Sequence, residues 1–172
     1  MRAALELFDE RGFERTTAGD IAERAGVTER TFFRHFADKR EALFDGEKVL
    51  EQAFQEAVAA TPTEAAPIDA ALAGARAVAE FLHDRRESAK QRAAIIAQNP
   101  SLQERELLKL AALTRAAAGS LRERGAAADV AALAAHCAVT TFQVAFARWL
   151  EDDTPDLGTC ADETAAALRT LF

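Results

Sequence analysis

The chain of 172 residues has only two cysteines, Cys137 and Cys160, far apart and outside any CxxC pair. That excludes a disulfide framework and a cysteine-based zinc module, and reduced core thiols are the expectation. A Gly-rich phosphate loop, an HExxH pair and a nucleophile elbow are all missing, so the usual marks of nucleotide, zinc-hydrolase and serine-hydrolase chemistry are absent. No catalytic residue, metal ligand or cofactor is assigned. Strand-like alternation and hairpin signals are lacking too, which points to an all-α chain. No secretory leader opens the sequence and no apolar run long enough to span a bilayer is read in it, so a soluble, cytoplasmic protein without a membrane partner is expected. Positive charge is in deficit, with a net charge of −7. Along the chain that deficit is uneven. Arg24, Arg30, Arg34, Lys39 and Arg40 outnumber Glu29 and Asp38 to give residues 24–40 a local +3, while the remainder carries −10. A local field of that kind orients one end of a protein toward phosphate.

What is present concentrates in residues 16–44, TTAGDIAERAGVTERTFFRHFADKREALF. Thr17 is placed to cap a short helix through Ile21, Ala22 and Ala25, with Gly26 ending it and Val27 plugging the turn. Thr28 is placed to cap a second helix, Glu29 to His35, whose apolar side is Phe32 and Phe36. Thr28, Glu29, Arg30, Thr31 and Arg34 are left for solvent or a ligand. This pattern is a helix-turn-helix with a polar leading half, suited to a major groove.

The segment resembles the TetR family of transcriptional regulators, and the likeness extends upstream through Ala3-Ala4-Leu5-Glu6-Leu7-Phe8 and Arg11-Gly12-Phe13. Phe33 departs from the tyrosine that many members carry, so a phenolic hydrogen bond to phosphate is lost. The first helix also begins almost at Met1, where such chains usually have several more, often basic, residues; either the start is short or the sequence is trimmed, and missing arm residues would mean fewer phosphate contacts. The resemblance implies phosphate contacts at Thr17, at Phe33, Arg34 and His35, and at Lys39, with base readout from Thr28, Glu29, Arg30 and Thr31. Arg30 is the best placed for a guanine edge, because a guanidinium donates two bonds to O6 and N7.

Beyond this, Asp38 is expected to cap a long helix over residues 39–60, followed by a loop at 61–67 containing Pro62 and Pro67. Further helices are expected over 68–83, 87–98, 101–124, 129–150 and 157–172. Ser101 with Glu104 reads as a capping box after Asn99-Pro100, and Asp152, Asp153 and Pro155 close the fourth of these helices. The domains are expected to be 1–46, the DNA-binding part, and 47–172, an effector-binding and dimerisation bundle. Helix 129–150 is apolar nearly all round, with Val130, Leu133, Cys137 and Val144 on one side and Val139, Phe142, Phe146 and Trp149 on another, so burial on more than one side is expected.

Three stretches, 99–110, 121–125 and 142–150, look like the C-terminal domain of mycofactocin-regulator-type TetR proteins. The resemblance implies a homodimer formed by the last two helices, a double-stranded palindromic operator, and an acyl or acyl-CoA-like apolar effector. Phe81, Ile95, Ile96, Leu110, Phe142 and Phe146 are candidates to line its cavity, with Arg92, Gln143 or His136 to orient it. The rival readings are a DNA-binding protein without a small-molecule effector, a helical interaction module, and a small enzyme using His83 or His136.

Overall fold

Side-chain caps written into the sequence decide where the first helices start. In a computed structural model, which describes residues 1–151 and 156–171, the described residues are helical and loop, with no strand. Helix α1 runs Arg2–Arg11, α2 Ala18–Arg24 and α3 Glu29–His35. Thr17 and Asp20 form a reciprocal capping box at the start of α2, and the Thr28 hydroxyl accepts the Thr31 N–H at the start of α3. Gly26, at φ +71°, takes the left-handed conformation that ends α2. Val27 does not plug the turn, since its side chain is 42% exposed; it closes the turn through its backbone N–H, which donates to the Ala22 carbonyl at 2.9 Å.

The expected single helix over 39–60 is broken. A 3₁₀ turn at Glu41–Leu43 is followed by Phe44 and by Gly46 at φ +105°, and α4 begins only at Glu47, running to Ala60. Asp38 caps no long helix: its carboxylate accepts the Arg40 backbone N–H at 2.8 Å and pairs with the Arg40 guanidinium. Helices α5 (Pro67–Leu82), α6 (Arg86–Ala97), α7 (Pro100–Glu123), α8 (Ala128–Glu151) and α9 (Leu157–Arg169) follow. The capping box expected at Ser101 and Glu104 is not used. Pro100 occupies the first helical position and the Asn99 carbonyl accepts the N–H groups of Leu102 and Gln103, the place where a missing proline N–H costs nothing. The stop expected from Asp152, Asp153 and Pro155, and Phe172 at the end of the last helix, lie outside the described residues.

Packing divides the chain into two units, residues 1–47 with 87–108 and residues 48–86 with 109–172. The core of the first unit is made of Leu5, Leu7, Phe8, Phe13, Ile21, Phe32, Leu43 and Phe44, joined by Ile95, Ile96 and Leu102 from α6 and α7. In the second unit α5 packs on α8 and α9 through buried alanines, Ala70, Ala71, Ala75, Ala131, Ala134, Ala135 and Ala138, around Phe54 and Val58. Gly74 sits so close to Phe54 that a methyl group there would lie 2.8 Å from three carbons of the ring.

By length and composition α8 could cross a membrane, contrary to the sequence reading. Here it is a core helix, with Ala131, Ala138, Ala145 and Trp149 buried. One side of it stays open within the chain: Val130, Leu133 and Val144 are exposed, Leu133 by 67%, and Cys137 is half-buried between them. Together with Thr140 and Ala147 these residues recur at heptad spacing.

Candidate nucleic-acid interface

The recognition surface stands on the buried ring of Phe32, which packs against Phe36 at 5.1 Å and edge-on against Phe33 at 5.5 Å. Those contacts fix the roll of α3 and leave Phe33 51% exposed beside Arg34. Glu29, Arg30, Arg34 and His35 are exposed, and Thr31 is half-buried. The hydroxyls of Thr28 and Thr31 lie 3.0 Å apart, so the leading turn of α3 is ordered by its own cap before any ligand arrives. Arg34 Nη2 lies 3.5 Å from His35 Nε2. The structure therefore brings Thr28, Glu29, Arg30, Thr31, Phe33, Arg34 and His35 onto one short helix with an aromatic floor.

Thr17 sits at the N-terminus of α2. Its hydroxyl donates to the Asp20 carboxylate at 2.7 Å and accepts the Asp20 N–H at 3.1 Å. The bonds from the Thr17 hydroxyl and backbone hold the Asp20 carboxyl below the ordinary aspartate range. Lys39, expected at a phosphate, is half-buried against the α1–α2 loop. Its ammonium donates to the carbonyls of Phe13, Glu14 and Thr16 at 2.8, 3.4 and 3.1 Å, and it lies 4.2 Å from the centre of the Phe13 ring. An ammonium has three N–H donors, so in this arrangement Lys39 staples the α1–α2 loop.

Two more cations in the positive stretch are internally paired. Arg24 binds both oxygens of Glu10, at 2.9 and 2.8 Å, and reaches Glu6 at 3.4 Å; the Glu10 bond first of all raises the Arg24 pKa and lowers that of Glu10. Arg40 is tied to Asp38 at 2.6 Å. The positive charge aimed outward from α3 is that of Arg30 and Arg34.

The six effector candidates are divided between the two units. Ile95 and Ile96 are buried in the core of the first unit, where they support the helix-turn-helix. Arg92, also in the first unit, donates to the Leu43 carbonyl. The other four belong to the second unit. Phe142 and Phe146 stack at 5.7 Å and Phe146 meets Trp149 at 5.7 Å, giving an aromatic ladder along α8. Phe81 lies under the Arg85 guanidinium, and Leu110 is half-buried. A groove of about 320 Å³ opens between α5, α8 and α9; Phe142 lines it with Leu72, Thr141 and Ala161, and ion pairs Arg76–Asp162 and Arg169–Asp69 flank it. Gln143 and His136 are exposed on α8. His83 is exposed and lies between the Glu80 carbonyl and Asp84.

Residues 1–45 match the family model described as bacterial regulatory proteins, tetR family, and residues 65–172 match that of the MftR C-terminal domain. A curated relative, the HTH-type transcriptional regulator TcmR of Streptomyces glaucescens, is 40% identical over 84 residues, which is 49% of this chain but only 37% of that one. Among solved structures, FadR of Bacillus subtilis in complex with stearoyl-CoA superposes with a TM-score of 0.66 at 19% identity, covering 97% of this chain and 94% of the other. FadR of Thermus thermophilus in complex with lauroyl-CoA gives 0.54 at 26% identity, with 97% and 90% covered.

Proposed function

Since the chain belongs to the TetR family of bacterial transcriptional regulators, with a C-terminal domain of the MftR type, we propose that it is a ligand-responsive repressor that binds a palindromic operator as a homodimer. The observation that carries this reading is the recognition helix: a capped, aromatic-floored α3 presenting Thr28, Glu29, Arg30 and Thr31 to solvent. Thr17, Phe33, Arg34, His35 and Lys39 flank that surface and serve phosphate contacts, and Lys39 also holds the loop before Thr17. Residues 1–46 read the DNA, and residues 47–172 carry effector binding and dimerisation, with 87–108 packing as part of the first unit.

The open side of α8, with Val130, Leu133 and Val144, pairs with a second copy, together with α9. A two-fold axis through it places two recognition helices on half-sites about 34–36 Å apart or a multiple of that. An acyl or acyl-CoA-like effector suits the Phe142, Phe146 and Trp149 ladder, because an apolar chain can lie on the rings while the Arg86 guanidinium stands over the Trp149 ring. The two FadR proteins that this chain is similar to were solved with such ligands. To release DNA usefully, the effector must favour the noncompetent spacing by about 1–3 kcal/mol.

Selection of duplexes from a random library at fixed moderate salt tests the reading, and a recovered palindrome is the expected outcome. Arg30→Ala should then lower base discrimination by about 1–3 kcal/mol at one position of each half-site. Unchanged preference and affinity in that variant would favour an interaction module. Acyl-CoA titrated into the operator complex should displace the protein; indifference to every ligand that binds would leave a regulator without a small-molecule effector.

A further inference from the structure

Resting on that reading, we infer that Arg105 is a positioning residue for DNA recognition. It locks the joint between the helix-turn-helix and α4 and thereby sets the half-site spacing the protein accepts. The joint is Phe44 to Gly46, where the expected continuous helix breaks and Gly46 stands at φ +105°. A glycine in that conformation is a natural pivot. Arg105, on α7, spans it. Its Nε and Nη2 donate to the two oxygens of Glu41 at 2.7 and 2.9 Å, and its Nη1 and Nη2 donate to those of Glu47 at 2.8 and 2.9 Å. Glu41 opens the 3₁₀ turn before the joint and Glu47 opens α4 after it. One guanidinium therefore holds both sides.

Phe44 fills the space between two cations. Its ring centre is 4.6 Å from the guanidinium carbon of Arg105 and 4.8 Å from that of Arg92, and Arg92 also donates to the neighbouring Leu43 carbonyl at 2.9 Å. Turning about the glycine would have to break the paired bonds of Arg105 to Glu41 and Glu47. Only arginine has the planar fork this requires; a lysine in its place would be a single point charge. Every member of this clamp, Arg105, Glu41, Glu47, Phe44 and Arg92, belongs to the first unit.

The test compares the full-length protein with Arg105→Gln, Arg105→Lys and Glu47→Gln on the selected operator and on versions with one base pair added or removed between half-sites. Binding is read by fluorescence anisotropy, with circular dichroism melts alongside. The wild type should lose about tenfold or more on a spacing change, and folded Arg105→Gln about threefold or less, with Arg105→Lys failing to restore discrimination. A folded Arg105→Gln or Glu47→Gln that keeps wild-type discrimination overturns the inference, and Glu47→Gln decides alone where the arginine variants fail to fold. A wild type that selects no operator fails the parent reading, and the inference with it, at a step no variant enters.

Discussion

Phe8, Phe13, Phe32 and Phe44 are buried in the unit that holds the helix-turn-helix, whereas the other unit buries Ala70, Ala71, Ala75, Ala117, Ala131, Ala134, Ala135 and Ala138 around Phe54. Aromatic rings meet edge-on or tilted, as Phe8 and Phe13 do at 5.1 Å, and such contacts specify direction as well as distance. Alanine faces let helices approach closely, so the contacts between them are spread along backbone and methyl groups. In the first unit, caps and forked ion pairs add further directed bonds. The two cores are thus filled differently, largely by rings in the first unit and by small side chains that bring helices together in the second.

Phe32→Ala puts the largest strain on this comparison. Removing a buried ring from the floor of α3 should cost about 3–5 kcal/mol and abolish operator binding, while the helices of the second unit persist. Calorimetry that instead shows both units melting together, each equally weakened, would break the contrast. Gly74→Ala probes the other side. A methyl pushed against the Phe54 ring should cost about 1–3 kcal/mol, and the better helix propensity of alanine returns only up to about 1 kcal/mol. A net loss by urea denaturation is expected, and a net gain would mean that the alanine-lined core has room to spare.

The smallest effect is acid sensitivity at two helix starts, one in each unit. Asp20 is held below its ordinary range by Thr17, and Asp156 by its backbone and side-chain bonds to Thr159. With folded pKa values below the unfolded ones, each cap contributes fully above the ordinary aspartate value of about 3.9 and is lost as pH falls through the folded value. Asp20→Asn should flatten the acid limb of the first unit alone, and Asp156→Asn that of the second; a variant that flattens both would show the units to be one cooperative body.

The local part of this design was legible in the sequence. Thr17, Gly26 and Thr28 announce α2 and α3 because caps and left-handed residues act within a turn of where they sit. The aromatic pair Phe32 and Phe36 gave the inner side of α3 for the same reason. What acts across distance was not legible. Arg105 meets Glu41 and Glu47 across separations of 64 and 58 residues, and Lys39 turns inward to carbonyls 23–26 residues away. Ile95 and Ile96 join the core of the first unit, a partner the sequence does not name, since an apolar pattern tells that a side chain is buried and not against what. The open side of α8 was read as buried because an apolar stripe looks the same whether its cover is the same chain or another.

Lys39 spent on three carbonyls, with Arg24 and Arg40 paired to carboxylates, has a consequence in counterions. Each phosphate neutralised by a protein cation releases condensed salt, and log affinity falls with log salt at about −0.9 per contact. With those cations so engaged, an operator half-site of the kind proposed meets fewer free charges, and the slope of log affinity against log salt is expected to be shallow.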